Sequence, residues 1–247
     1  DRCLATFASL THLFSSPWFA DLAAWTRNQR AILEDELGSL GPIIDVRGRL
    51  DEGLPQLAID CLDNISRPTD KPNGTRIVLV DGPAGIGKTI LIKQLALRRA
   101  TPLGGAWTAP ILHVESRGRQ LSYLVDLFPS SLQRLRVSVT FDQVPILVRH
   151  GCIIVAIDGF DELADPSGYS LAWSQVNDLV ETARGFGCLL LAGRETFIGR
   201  ERVLRDISVL DTGIDSLNTL TLQSPTPIEA IRWLHERQID QHDLDML

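Results

Sequence analysis

The chain has 247 residues, of which 44% are hydrophobic and 22% are charged, and its formal net charge is −7. This length and composition suffice for a full core in one large or two small domains, and they give no sign of disorder. The acidic balance argues against a dedicated nucleic-acid-binding domain, because such domains usually carry a basic surplus.

The sequence shows neither a membrane segment nor a secretory signal. No apolar run approaches the length of a bilayer span, and no basic region leads into an apolar stretch at the N-terminus. The four cysteines and five histidines have no zinc-ligand spacing. We therefore expect a cytoplasmic chain with no membrane partner. Because it begins with Asp1 and its single methionine is Met246, we also expect it to be part of a longer protein.

The first block of the chain, residues 1–70, carries no catalytic signal. Apolar residues at helical spacing predict a helix over residues 18–40. The block is interpreted as an N-terminal helical segment or linker. Three roles stay open for it: an effector remnant, a linker to an effector, or a helical shoulder packed on the following core. A Pro- and Gly-rich stretch over residues 67–74 marks the predicted boundary.

An octapeptide over residues 82–89 matches the phosphate-cradling pattern G-x-x-x-x-G-K-S/T. It follows a predicted buried strand over residues 76–81 and precedes a predicted helix over residues 90–100, the context that the pattern requires. The loop and the helix N-terminus would bind the phosphates of ATP or ADP, Lys88 would reach the β- and γ-phosphates, and Thr89 would bind Mg²⁺. The residues predicted to bind nucleotide are Gly82, Pro83, Ala84, Gly85, Ile86, Gly87, Lys88 and Thr89.

A second motif begins with the apolar residues 152–157, which predict a strand, and continues with acidic residues. It looks like a Walker B element, in which an Asp at the end of the strand binds Mg²⁺ and a nearby carboxylate orients the attacking water. Asp158 is therefore predicted to be a magnesium ligand. Asp161 and Glu162 compete for the second role, and Glu162 is preferred because that role needs a carboxylate aimed at the γ-phosphate. The other acidic residue would only begin the next turn.

Predicted strands and helices alternate along residues 71–224, with further strands near residues 111, 188 and 220. This alternation predicts an α/β fold, a P-loop NTPase core in which a parallel sheet is flanked by helices and the nucleotide binds at the carboxyl ends of the strands. Within residues 225–247, Thr226, Pro227 and Glu229 form a capping-box pattern that predicts the start of another helix.

Residues 158–162 read D-G-F-D-E, which is similar to the D-G/A/S-hydrophobic-D-E signature of NACHT-type NTPases. The small Gly159 after the magnesium-binding Asp is the discriminating feature. NACHT proteins belong to the STAND group of signalling ATPases, which resemble AAA+ proteins in fold. The resemblance covers roughly residues 77–234, and it implies that residues 71–224 are a NACHT-like core and that residues 225–247 are the start of a helical lid.

The resemblance also implies residue roles and partners. Arg194 would be the sensor 1 arginine that contacts the γ-phosphate. Before it, Ala192 and Gly193 stand where the family commonly has small hydroxyl residues. The alternative is that Arg194 is a surface arginine at a strand end. A proline near the lid, Pro225 or Pro227, would lie close to the adenine. The implied activity is that of a switch that binds ATP·Mg²⁺, hydrolyses it slowly and self-associates. The resemblance to bacterial members implies a role in antiviral or other defence signalling. Effector and sensor domains would lie on the same longer polypeptide.

Other functions fit the same motifs. An AAA+-like motor that remodels nucleic acid or protein would share the site, and a nucleotide-binding scaffold would bind without turnover. A basic stretch made of Arg194, Arg200, Arg202 and Arg205 would supply a trans-acting arginine finger in an oligomer or form a solvated helix face. ATP is favoured over GTP because the sequence lacks an N-K-x-D base-reading motif. The predicted catalytic residues are Lys88, Asp161, Glu162 and Arg194.

Overall fold

The computed structural model describes residues 6–67, 74–101, 108–116, 126–163, 169–194 and 200–237. Within these ranges the helices are α1 (Leu10–Ser15), α2 (Leu22–Gly38), α3 (Ala58–Ile65), α4 (Lys88–Ala100), α5 (Leu127–Arg134), α6 (Val144–Arg149), α7 (Phe160–Leu163), α8 (Tyr169–Thr182), α9 (Arg200–Asp206) and α10 (Pro227–Glu236). The strands are β1 (Arg47–Leu50), β2 (Gln56–Leu57), β3 (Arg76–Asp81), β4 (Ile111–Glu115), β5 (Ile154–Asp158), β6 (Cys188–Gly193) and β7 (Ser216–Gln223).

The strands form one seven-stranded sheet in the described part of the chain, in the order β2-β1-β7-β3-β6-β5-β4. The strands from β7 to β4 run parallel, whereas β1 pairs antiparallel with both β7 and β2. Each connection between sequential parallel strands contains a helix, as such crossovers usually do. The arrangement confirms the predicted α/β P-loop fold with a parallel sheet flanked by helices. The antiparallel pair β1 and β2 is an addition that the sequence did not indicate.

Strand β3 is apolar on both faces because both faces are covered. Ile77 and Leu79 belong to a core layer that includes α5, α6 and α8, whereas Val78 and Val80 belong to a second layer that includes α3 and α4. All four side chains are fully buried, as expected for a central strand of a parallel sheet. This double burial fixes the end of β3, where the phosphate-loop pattern begins.

Helix α2 packs on the sheet beside the edge strand β4. It starts later than the predicted residue 18 because Asp21 caps it, with Oδ1 accepting a hydrogen bond from the backbone N–H of Ala24 at 3.1 Å. Trp25 is fully buried, and Nε2 of Gln29 donates to the carbonyl of Ile111 in β4 at 2.6 Å. These contacts attach α2 to the core, while the division of the chain into domains stays a prediction.

Two local predictions about helices are confirmed. Thr226 and Glu229 form the expected capping box of α10: the Thr226 hydroxyl accepts from the Glu229 N–H at 3.3 Å, and the Thr226 N–H donates to the Glu229 carboxylate at 2.7 Å. The apolar face of the helix before residue 185 is core. Its buried residues, in and just after α8, are Trp173, Val176, Leu179, Val180 and Ala183.

The described cysteines belong to the core. Cys61, Cys152 and Cys188 are buried free thiols, and burial raises the pKa of Cys152 to about 11 and that of Cys188 to about 12. Thiols held protonated in this way are unreactive packing residues. Among the described residues, no helix is long and apolar enough to cross a membrane.

Candidate nucleotide-binding site

The loop over residues 82–89 joins β3 directly to α4, so strand, loop and helix occur in the predicted order. Gly85 has a φ of 76° and Gly87 a φ of 101°, backbone conformations that residues with a Cβ rarely adopt. Gly87 is also the N-cap of α4, and no side chain caps this end of the helix. The first backbone N–H groups of α4 are therefore directed toward the loop, an arrangement that favours anion binding.

Lys88 is the first residue of α4, and its ammonium group lies over the loop. Nζ donates to the carbonyl oxygens of Gly82 at 2.7 Å and of Pro83 at 2.9 Å. Burial lowers the pKa of Lys88, and the nearby carboxylates of Asp161 and Asp158 act in the opposite direction. The ammonium group therefore lies between the loop and two of the acidic residues predicted to act at the site.

Asp158 ends β5 and is in contact with the first turn of α4. Its side chain is buried, and its carboxylate accepts a hydrogen bond from the Thr89 hydroxyl. Burial by itself would raise the pKa of Asp158, but hydrogen bonds from His113, Thr89 and the Gly159 backbone, together with the charge of His113, outweigh burial and lower it. The carboxylate is therefore ionised at neutral pH.

Thr89 and Asp158 fit the requirements of a magnesium site. A hydroxyl and a carboxylate in direct contact are hard oxygen donors of the kind that Mg²⁺ prefers, and this ion usually keeps water and phosphate oxygens as its other ligands. Within the described ranges, no group of three or more His, Cys, Asp or Glu side chains is arranged to hold a metal ion. Water and phosphate oxygens would complete the coordination of a metal at Thr89 and Asp158.

The proposed sensor arginine and one of the two competing acids are brought together. Arg194 follows β6, and its Nε lies 2.8 Å from Oδ2 of Asp161 in α7. The Asp161 side chain is 7% exposed and that of Arg194 is 54% exposed, so the arginine reaches from the surface to a buried carboxylate. Gly159, with a φ of 72°, makes the turn between Asp158 and α7, which explains the small residue in the D-G-F-D-E motif. Glu162 lies in α7, and its side chain is outside the described part of the structure.

An apolar cavity of about 370 Å³ adjoins the loop at residues 85–87. Its other walls come from residues 40–46 and from the region of α10. Pro225, one of the two predicted base contacts, is among the lining residues, whereas Pro227 begins α10. Trp233 donates from Nε1 to the carbonyl of Pro42 at 2.7 Å, and the guanidinium of Arg237 lies 4.4 Å from the centre of the Trp233 ring. Helix α10 is thereby fastened to residues 40–46, and the cavity has the size and polarity of a small-ligand pocket.

The three arginines of α9 contact groups of their own chain. Arg200 donates from a terminal guanidinium nitrogen to the Leu217 carbonyl at 2.7 Å, and Arg202 and Arg205 both pair with Asp206, at 3.7 and 2.9 Å. An arginine finger acts on a neighbouring subunit, so this role stays a prediction.

The structure adds residues that the sequence did not single out. His113 of β4 lies beside Asp158, with Nε2 3.2 Å from Oδ2. A lone histidine in an apolar strand gives no local signal. Only the pairing of β4 with β5, which sets Glu115 opposite Asp158, reveals this contact. The contact of Trp233 with residues 40–46 could not be predicted either, because nothing in the sequence of α10 indicates it.

Comparison of the chain with protein-family models and with curated proteins finds no match. Among solved structures, the chain is similar to Drosophila ORC bound to GC-rich DNA and Cdc6, with 11% identity over 95% of this chain and 38% of that chain and a TM-score of 0.43. It is also similar to the Aeropyrum pernix ORC2 protein, with 15% identity over 87% of this chain and 51% of that chain and a TM-score of 0.40. Cdc6p from Pyrobaculum aerophilum gives 15% identity over 73% and 47% and a TM-score of 0.38. The chain spans about half or less of the length of each of these proteins.

Proposed function

We propose that this chain is the nucleotide-binding module of a NACHT-type STAND switch, which binds ATP·Mg²⁺, hydrolyses it slowly and self-associates according to the nucleotide bound. The observation that carries the proposal is the gathering of Lys88, Asp158, Asp161 and Arg194 at the N-terminus of α4. These groups lie at or after the carboxyl ends of parallel strands, the edge of the sheet where α/β proteins bind their ligands. An apolar cavity adjoins the same loop.

The loop and α4 would bind the phosphates. Backbone N–H groups of residues 82–89 and the N-terminus of α4 supply hydrogen-bond donors and partial positive charge. Lys88 would exchange the two loop carbonyls that it now contacts for oxygens of the β- and γ-phosphates. Mg²⁺ held by Thr89 and Asp158 would neutralise part of the phosphate charge.

Asp161 and Glu162 are proposed to differ in role. The Asp161 carboxylate is paired with Arg194, whose Nε lies 2.8 Å from Oδ2, so this carboxylate is already engaged by a side chain of its own chain. This pairing supports Asp161 as the residue that positions Arg194, and Glu162 as the residue that orients the attacking water. Arg194 would contact the γ-phosphate, where its charge stabilises the transition state.

The apolar cavity is proposed to hold the base. Pro225 and Trp233 would cover an adenine ring that enters between residues 40–46 and α10. Apolar and aromatic walls favour stacking over hydrogen-bond recognition, which fits ATP without a dedicated guanine-reading motif. Self-association, a defence role, effector and sensor domains on a longer polypeptide and a cytoplasmic location are parts of the proposal that depend on the family resemblance alone.

The test measures nucleotide binding, phosphate release and mass by light scattering for the wild type, Glu162→Gln and Asp161→Asn. We expect slow turnover and nucleotide-dependent assembly of the wild type, and binding without hydrolysis in Glu162→Gln.

Unchanged turnover in Glu162→Gln would move the water-orienting role to Asp161. Fast turnover that requires nucleic acid or a client protein would favour a motor, and binding without turnover would favour a scaffold. A folded wild-type chain that binds no adenine nucleotide with Mg²⁺ contradicts the proposal.

A further inference from the structure

Behind the magnesium-site residues lies a group of five ionisable side chains from four elements. We name it the inner ion cluster, and its members are Glu36 of α2, Lys93 of α4, His113 and Glu115 of β4, and Arg134 of α5. Each of these side chains is at most 30% exposed, and His113, Glu115 and Arg134 also line a cavity of about 370 Å³. It adjoins the candidate site at Asp158, which lies beside His113 and is the strand-pairing partner of Glu115.

The contact between His113 and Asp158 is buried and directional. Nε2 of His113 lies 3.2 Å from Oδ2 of Asp158, and each side chain is 7% exposed. An ionised carboxylate only accepts hydrogen bonds, so His113 is the donor and Nε2 carries the proton. The contact engages Oδ2 and leaves Oδ1 for other partners. A buried carboxylate with this partner is restrained to one orientation.

On the side of the ring away from Asp158, His113 faces the charged groups of the inner ion cluster. Its Nδ1 lies 3.4 Å from Oε1 of Glu115, which in turn lies 3.2 Å from the ammonium of Lys93 and 3.5 Å from a guanidinium nitrogen of Arg134. Lys93 also pairs with Glu36 at 3.3 Å, and Arg134 pairs with the same carboxylate. The ion pairs of Glu115 thus join the neighbour of the imidazole to both α4 and α5.

We propose that His113 is a positioning residue of the magnesium site: it holds the Asp158 carboxylate so that Oδ1 faces the metal bound at Thr89. This inference rests on the proposed function, since it assigns a partner to the magnesium ligand of that site. Hydrogen bonds of this kind to a metal-binding carboxylate typically change metal affinity by about 10–100-fold. The effect lies in metal binding, because His113 is not part of the loop that binds the phosphates.

The alternative is that His113 only fills space in the core. Two substitutions distinguish the two roles. His113→Leu introduces an apolar side chain of similar volume and removes the donor, whereas His113→Gln places an amide N–H close to the position of Nε2. If His113→Leu does not fold, His113→Asn replaces it, because its shorter amide does not reach Asp158.

The experiment measures binding of a fluorescent ATP analogue while Mg²⁺ is titrated, and again in EDTA, with circular dichroism as a check on folding. We expect His113→Leu to weaken Mg²⁺ binding to the nucleotide complex by about 10-fold or more, with unchanged nucleotide affinity in EDTA, and His113→Gln to recover most of the loss. His12→Leu is the control, because α1 lies beside Cys152, ahead of β5 and away from its carboxyl end.

Equal Mg²⁺ dependence in His113→Leu and the wild type overturns the inference and leaves the proposed function intact. Equal losses in His113→Leu and His113→Gln also overturn it, because they point to packing alone. Failure of the wild type to bind nucleotide under any condition contradicts the proposed function and this inference together.

Discussion

The two halves of the candidate site are built differently. The phosphate half consists of charged residues at the ends of β3, β5 and β6, central strands that are covered on both faces. The base half is mostly apolar, and it brings two segments far apart in the chain, residues 40–46 and the region of α10, against the loop and the first turn of α4. No described residue of α10 is buried, and Ile228 is 80% exposed. The phosphate half is therefore attached to buried central strands, whereas the base half depends on a helix attached by a few contacts.

The contacts that attach α10 are specific but few. Trp233 donates to the Pro42 carbonyl at 2.7 Å, and Arg237 contacts the Leu40 carbonyl and stacks on Trp233. By contrast, β3 is hydrogen-bonded along its whole length to β6 and to β7. Substitutions in the phosphate half are therefore expected to change affinity or turnover strongly, and those in the base half to change affinity moderately.

The largest effect is expected for Lys88→Ala. Lys88 would make two charge-assisted hydrogen bonds to phosphate, each contributing about 1.5–3 kcal/mol, so its loss should weaken nucleotide binding by at least about 100-fold. Isothermal titration with ATP and Mg²⁺ measures this change. Arg98→Ala is the matched control on the same helix, since Arg98 forms an exposed ion pair with Asp60. Affinity of Lys88→Ala within a factor of three of the wild type would show that the loop does not bind phosphate in the proposed way.

The second effect separates turnover from binding within the phosphate half. Arg194→Ala should lower the rate of ATP hydrolysis by about 100-fold, because removal of one group that stabilises the transition state typically costs this much. Nucleotide affinity should change little, because Lys88 and the loop remain. Phosphate release under saturating ATP measures the rate. Arg30→Ala is the control, since Arg30 is 51% exposed and also paired with an acid, Glu34. An unchanged rate would return Arg194 to the alternative of a surface arginine.

The third effect tests the base half. Trp233→Ala should weaken ATP binding by about 10-fold, in line with the 1–3 kcal/mol that aromatic stacking on a base contributes. Competition by inorganic tripolyphosphate should be unaffected, because this ligand has no base. Ile228→Ala on the same helix is the control, since Ile228 points to solvent. Parallel losses for ATP and tripolyphosphate would mean that α10 supports the loop rather than the base.

The smallest effect concerns the start of α10. Hydrogen bonds from the backbone and hydroxyl of Thr226 lower the pKa of Glu229. A carboxyl whose folded pKa is depressed stabilises the fold above its ordinary pKa, and this contribution is lost as the pH falls through the lowered value. We expect the protection factors of the amides in the first turn of α10, which are corrected for the intrinsic pH dependence of exchange, to fall on acidification, and we expect no such fall in Glu229→Gln. Identical protection factors for the two proteins at each pH would exclude the capping box as a determinant of order in α10.

The parts of the candidate site that depend on local sequence patterns could be predicted, whereas the parts that depend on tertiary contacts could not. The loop over residues 82–89 and the capping box of α10 are local patterns, in which neighbouring residues determine each other's geometry. The contact of His113 with Asp158 joins residues 45 positions apart, and it depends on which strands are neighbours. The base cavity requires residues 40–46 and α10 to meet, and the short strands β1 and β2 lack a clear apolar alternation. The contact of His113 with Asp158, the base cavity and the pairing of β1 with β2 all depend on which distant segments meet in the fold. A single sequence carries no local signal for such tertiary contacts.

The hydrogen bond from Gln29 to Ile111 has a consequence for assembly. An edge strand with free backbone groups is a template for pairing with a strand of another chain. At the β4 edge, the side chain of Gln29 in α2 occupies one carbonyl of the strand, while β2 at the opposite edge is only two residues long. Both edges therefore disfavour strand addition, and copies of this chain that self-associate are expected to meet through side-chain surfaces, where bound nucleotide is able to influence the contact.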